Sequence, residues 1–216
     1  MIPAPETLAC TTHAADELDN YGRPFGVAHV MTGWIEMAAA FGVFLVSHAV
    51  PARPPVRDRL TRRLGRRGYL IGYIAVSLAA LAWLIAAAGH APYVPLWPWA
   101  PWQRWVPNIM MPIVCLLMAF GAATPNPLSF GGRNTDRFDP ELPGIAGVTR
   151  HPLLWAIALW SGTHVVPNGD LAHVLLFGGF TGFAVFGMVM LDRRRQAAMG
   201  AAEWGRLSAR TALIPG

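Results

Sequence analysis

Arg150-His151-Pro152-Leu153-Leu154-Trp155 opens the stretch that decides how this chain is read. An apolar run continues from there through His164, turns at Asn168-Gly169-Asp170, resumes as a second apolar run and stops at Asp192-Arg193-Arg194-Arg195. Segments this long and this uncharged belong in hydrocarbon, where imidazoles and an Arg are costly and therefore mark a site. The expectation is a cofactor held inside a membrane.

Outside this stretch the composition agrees. Of 216 residues, 54% are hydrophobic and 13% charged, and the charges are clumped between long uncharged runs. This is how an all-α, polytopic membrane helix bundle is written. Five spans are predicted at roughly 28–50, 69–89, 107–124, 152–167 and 172–191, the fourth short for a bilayer core. They define a transmembrane domain over 28–195, between an N-terminal segment (1–27) and a C-terminal tail (196–216). All seventeen basic residues are Arg, most of them in segments that abut apolar spans. The partner they imply is the lipid bilayer, through its headgroups, and not nucleic acid. Cys10 and Cys115 offer neither a disulfide framework nor metal-ligand spacing. Residues 1–26 lack the basic-then-apolar order of a secretory signal.

Orientation follows from the arginines. The segment from Arg53 to Arg67, the loop carrying Arg133, Arg137 and Arg150, and the arginines after the last span are all strongly positive. Positive residues near span ends stay on the cytoplasmic side, so Asp16, Glu17 and Asp19 should lie outside and the C-terminus inside. Between the second and third spans, residues 91–105 contain four Pro and four Trp. The prolines forbid a continuous helix and the Trp rings suit the headgroup level, so this segment should lie along the outer surface. Loop 125–150 mixes Asp136, Asp139 and Glu141 with Arg133 and Arg137 and reads as a surface loop without chemistry.

Several residues inside or beside the spans carry possible chemistry. His29, Gly33, Glu36, Ala40 and Ser47 fall on one helical stripe, with His48 about 100° from it. Glu36, the one acid well inside a span, is a relay group, a support for a neighbouring His, or the wall of a water-filled notch. His48 and His164 sit on different spans, each either a packed, hydrogen-bonded imidazole or a metal ligand. Two such residues favour haem b, because neutral imidazole ligates b-type iron and apolar helices suit the porphyrin. No Cys-x-x-Cys-His sequence is present for covalent attachment, and no zinc-peptidase spacing. His151 lies thirteen residues before His164, about 140° round the helix, and should not share its pocket. Pro152 suits a first helical turn, which leaves Arg150 and His151 at the membrane edge. There they contact headgroups, or Arg150 recognises an anionic ligand such as a haem propionate.

These motifs together resemble a known family. Thr149-Arg150-His151-Pro152, Leu159-Trp160, His164, Asn168-Gly169-Asp170-Leu171, Leu175-Leu176-Phe177-Gly178 and Asp192-Arg193-Arg194 are similar to the pattern of the NnrU family of bacterial inner-membrane proteins. Leu45 to Pro51, Ala91-Pro92-Tyr93, Glu203-Trp204 and Ala209-Arg210-Thr211 extend the resemblance over roughly residues 40–216. It implies a role in denitrification and nitric-oxide metabolism. It also implies a relation to zeta-carotene isomerase, a haem-b membrane enzyme whose proposed axial histidines fall on His48 and His164. Ser161 stands where that isomerase has a Cys.

Helical rise complicates a single haem. His164 lies about 20 Å above Arg150 but His48 only about 7 Å above Arg53, a difference of roughly 13 Å along the membrane normal. Bridging them needs a steeply tilted ligand axis; otherwise His29, His90 or His173 lies nearer His164, and His151 nearer His48. Two function classes lead: a haem-b protein, either an isomerase or a redox or sensing partner in nitrogen-oxide metabolism, and a non-enzymatic assembly or transport factor. For the second, Gly178 and Gly182 would pack against another subunit. A lipid-directed methyltransferase of the isoprenylcysteine type trails, because the chain lacks that family's later Gly and paired acids.

Overall fold

The structure is a computed structural model that describes residues 27–51, 53–131 and 135–215, with side chains from Met31 onward. Cys10, Asp16, Glu17, Asp19, Arg133 and the His29 side chain lie outside the described residues. The described chain is helical: α1 (Val27–Ala49), α2 (Pro54–His90), α3 (Trp105–Ala123), α4 (Ile145–Val148), α5 (Pro152–Val165), α6 (Leu171–Met199) and α7 (Ala201–Ser208). It divides into two compact units, one ending at Pro92 and the other beginning at Tyr93.

The first unit is a helical hairpin. Met37, Ala40, Phe44 and Ser47 of α1 recur at the three- and four-residue spacing of one helix face and are buried, as are Ala80, Leu84, Ala87 and Ala88 of α2. Four of these eight are Ala, which lets the two backbones approach closely, the device membrane helices use where lipid supplies no hydrophobic drive. Arg53 is extended, and Pro54 and Pro55 then start α2 with preset φ angles where an amide donor is not needed. Gly65 interrupts α2 at φ 72° and ψ 164°, a conformation that side-chain-bearing residues rarely adopt. The arginine-rich first part of α2 is thereby turned away from the apolar second part.

In the second unit α5 is the central helix. One face carries Leu154 and Ala158 against Ala184 and Met188 of α6, and another carries Ala156 against Val114 and Leu117 of α3. The Asp170 carboxylate caps α6 by accepting from the His173 amide at 3.2 Å. Residues 94–97 close over the α5–α6 turn: the Leu96 amide donates to the Gly169 carbonyl at 2.7 Å, the Leu171 amide to that of Val94 at 2.9 Å, and the Trp97 indole to that of Val166 at 3.0 Å. A methyl at Gly169 would come within 2.3 Å of the Trp97 carbonyl oxygen, so the closure requires glycine.

Four helices, α1, α2, α3 and α6, are long and apolar enough to cross a bilayer. They turn large apolar residues outward: Ile35 on α1, Ile71 on α2, Ile109 on α3 and Phe186 on α6 are each more than 60% exposed. Such faces need hydrocarbon beside them, and the chain is a multi-pass membrane protein. The fifth expected span, α5, has fourteen residues and rises only about 21 Å. Its ends explain how a short helix is tolerated, since the irregular backbone flanking it is buried in protein polar groups.

Candidate functional site

His164 stands on the last turn of α5. Its Nδ1 lies 2.6 Å from the Trp160 carbonyl oxygen four residues earlier, so Nδ1 carries the proton and Nε2 the lone pair. The ring is flanked by Trp160 and Phe177, with centroids at 5.4 and 5.5 Å. Beyond Phe177 lies His173, at 6.4 Å between centroids, its Nδ1 held by the Asp170 carboxylate at 2.8 Å. The Asn168 amide donates to the His164 carbonyl at 2.7 Å and ends the helix. One turn toward the centre, the Ser161 and Thr181 hydroxyls meet at 2.8 Å and join α5 to α6. Trp160, His164 and Phe177 thus form an apolar, aromatic-walled setting for one oriented imidazole.

The other end of α5 is built on the opposite plan. His151 is completely buried; its Nδ1 lies 3.0 Å from the Ser129 hydroxyl and its Nε2 2.8 Å from Asp192. The other oxygen of Asp192 is paired with the Arg150 guanidinium. Arg150 also donates to the Thr211 hydroxyl at 3.0 Å and stacks over the Trp204 ring at 4.9 Å. Because Arg150 already neutralises Asp192, no second positive charge is needed. Burial holds His151 below the usual imidazole range, although Asp192 acts in the other direction. The matching tautomer has Nε2–H donating to Asp192 and Nδ1 accepting from Ser129.

The C-terminal segment is tied into this centre. The Arg150 amide donates to the Ala212 carbonyl, and the Leu213 carbonyl accepts from the Trp155 indole at 2.8 Å and the Thr149 hydroxyl at 3.3 Å. Asn126 donates to the Arg150 carbonyl at 3.0 Å and accepts from the Leu128 amide. Arrangements of Ser, His and Asp suggest hydrolysis, but Ser129 is 3% exposed and no substrate carbonyl can reach it. The cluster is a closed polar joint.

In the first unit His48 repeats the His164 arrangement. Its Nδ1 lies 2.8 Å from the Phe44 carbonyl oxygen four residues earlier, and Phe44 packs on the ring at 4.2 Å. The Ser47 hydroxyl donates to the same carbonyl and lies 3.3 Å from Nδ1, and Tyr73 of α2 meets the ring edge-on at 6.2 Å. Glu36 stands apart from it, twelve residues and about 18 Å of rise away. It accepts from the Trp83 indole at 3.3 Å and lies 3.9 Å from His90 Nδ1, with 39% of its side chain exposed. Any imidazole it supports is therefore His90, not His48.

The five residues singled out in the sequence fall into three settings. His48 and His164 are alike in their own units, Glu36 belongs with His90, and Arg150 and His151 form the closed joint. His151 has both ring nitrogens engaged and offers no lone pair to iron. Arg150 is committed to Asp192, Thr211 and Trp204 rather than held open for headgroups or a propionate. Sequence reading passed over Ser129, in a loop expected to lie at the surface, and treated Asp192 as a span-stopping charge. The signal for Asp192 was its position as the one acid beside three arginines, within a helix that runs on to Met199. Gly178 and Gly182 have open space where side chains would project. Among the described residues no group of three or more His, Cys, Asp or Glu side chains could hold a bare metal ion. An axially ligated porphyrin does not require such a group.

A family model described as NnrU protein matches residues 36–216. No curated protein and no solved structure matches the chain.

Proposed function

The chain belongs to the NnrU family, and from that premise we propose that it binds a b-type haem through His48 and His164 and acts in nitrogen-oxide metabolism. The observation that carries this reading is the shared tautomer of the two histidines. In each, a carbonyl four residues earlier accepts from Nδ1–H, at 2.8 Å for His48 and 2.6 Å for His164, so that in the neutral ring Nε2 is the unprotonated nitrogen. Metal-ligating histidines are oriented in this way, by a carbonyl or carboxylate behind the ring. Aromatic neighbours limit water around both rings and suit a porphyrin edge. When bound, the haem supplies a redox-active iron whose potential follows ligand identity and burial. The residues of the chain orient the imidazoles, exclude water and, through Ser161 and Thr181, keep α5 and α6 in register. The arginine distribution supports an inner-membrane orientation with the N-terminus outside and the C-terminus in the cytoplasm.

The test is an absorption spectrum of the full chain purified in mild detergent. The dithionite-reduced protein should show a b-type signature that His48→Ala and His164→Ala each reduce at least tenfold, while His151→Asn retains it. Colourless protein that stays colourless after haem addition, or spectra unchanged in both alanine variants, would overturn the assignment.

A further inference from the structure

The bend in α2 creates a second feature, which shares Ser47 and Tyr73 with the surroundings of His48. Before Gly65, residues 54–64 place Val56, Leu60 and Leu64 on one stripe, at i, i+4 and i+8. Arg63 and Arg59 lie along one edge of the stripe and are exposed, whereas Arg57, on the other edge, is paired with Asp58 at 3.5 Å. A segment so charged does not enter hydrocarbon; a helix with an apolar stripe and a cationic flank lies in the membrane interface. The chain then turns at Gly65 and the apolar part of α2 begins.

Inside this bend is a cleft of about 230 Å³, walled almost wholly by apolar atoms of Leu60, Leu64, Tyr69, Gly72, Tyr73 and Val76. Tyr69 fixes one wall by donating its hydroxyl to the Pro51 carbonyl at 3.2 Å. At 230 Å³ it is smaller than a pocket for a drug-sized ring system, roughly 300–1,000 Å³, and suits a single chain. An apolar slot under a cationic helix is complementary to a molecule that is apolar at one end and anionic at the other.

We propose that the α1–α2 hairpin binds one anionic phospholipid, an acyl chain lying in the cleft and the phosphate held by Arg59 and Arg63. The arginine side chains supply forked donors to the phosphate oxygens. Charge complementarity selects an anionic over a zwitterionic headgroup, and the cleft selects a lipid over free phosphate.

Native mass spectrometry of the full chain in neutral detergent, titrated with phosphatidylglycerol or phosphatidylcholine of identical acyl chains, tests this. One phosphatidylglycerol should bind ahead of all others and resist displacement by millimolar inorganic phosphate. Combined Arg59→Gln and Arg63→Gln should weaken that binding about 25-fold, since each cation near an anionic headgroup contributes about fivefold. Gly72 lines the cleft and a Cβ built there meets nothing within 4 Å, so Gly72→Leu places apolar bulk in that space. It should weaken phosphatidylglycerol about tenfold with the arginines intact, the equivalent of roughly two methylenes left unburied. Equal affinity for the two lipids, displacement by phosphate, or no change in either variant would overturn the proposal. The readout counts lipids rather than colour, so it stands or falls separately from haem binding.

Discussion

His151 and His164 are thirteen residues apart on either end of α5 and have been put to opposite uses. At the first, both ring nitrogens are satisfied, exposure is nil and an Arg–Asp pair holds the electrostatics at neutrality. At the second, only the nitrogen facing the backbone is held, and aromatic rings surround the remainder. An imidazole becomes a structural joint when polar partners meet both its nitrogens, and a candidate ligand when one partner fixes its tautomer. The contrast shows that an intramembrane histidine is assigned by the count and direction of its partners rather than by depth.

The sharpest way to break this contrast is at Asp192. Asp192→Ala leaves Arg150 buried without a counter-charge, and thermal unfolding in detergent should show a loss of about 3–5 kcal/mol. A loss below 1 kcal/mol would mean the joint holds nothing together. At the opposite end, Gly169→Ala drives a methyl into the Trp97 carbonyl and should cost about 1–3 kcal/mol, read in the same assay. Ser129→Ala removes the donor to His151 Nδ1 and should cost a similar or smaller amount, about 1–3 kcal/mol, whereas Ser129→Thr restores most of it.

A pH titration sharpens the comparison further. Burial depresses the His151 pKa in the folded protein, so as pH falls the unfolded chain takes up its proton first, near pH 6.5. The stabilisation is complete above that value and declines as pH drops toward the folded pKa. Melting temperature should therefore fall on acidification below about 6.5, and His151→Asn should flatten that part of the curve; a curve identical to the parent would refute the neutral assignment. The smallest effect is expected at Arg206, exposed and paired with Glu203 one turn away. That ion pair holds the Glu203 carboxyl below its usual range, yet Arg206→Gln should leave the melting temperature unchanged within error.

The helices were legible because lipid imposes a simple rule, long uncharged runs bounded by arginine, and it located each apolar segment within a few residues. It failed at two points. The helix of the second span begins at Pro54 rather than near 69, because the arginine-rich segment is itself helical and only the Gly65 bend separates it from the span. The last helix runs past Asp192 to Met199, since an acid and three arginines stop a membrane span without stopping a helix. The candidate ligands His48 and His164 could be named from sequence. Their tautomers could not, because these depend on which carbonyl lies behind each ring. The joint around His151 was illegible for a different reason. Its parts, Asn126, Ser129, Arg150, Asp192 and Thr211, are far apart along the chain and carry no common spacing.

The backbone of residues 211–213 fills sites at the start of α5 that belong to positions some sixty residues earlier: Arg150, Thr149 and Trp155. Those donors can meet these partners only after residues 211–213 have been made, some sixty residues later in the chain. The start of α5 is therefore closed only after the whole α5–α6 hairpin exists, and a nascent chain halted before Thr211 would present α5 with its first turn still unfastened.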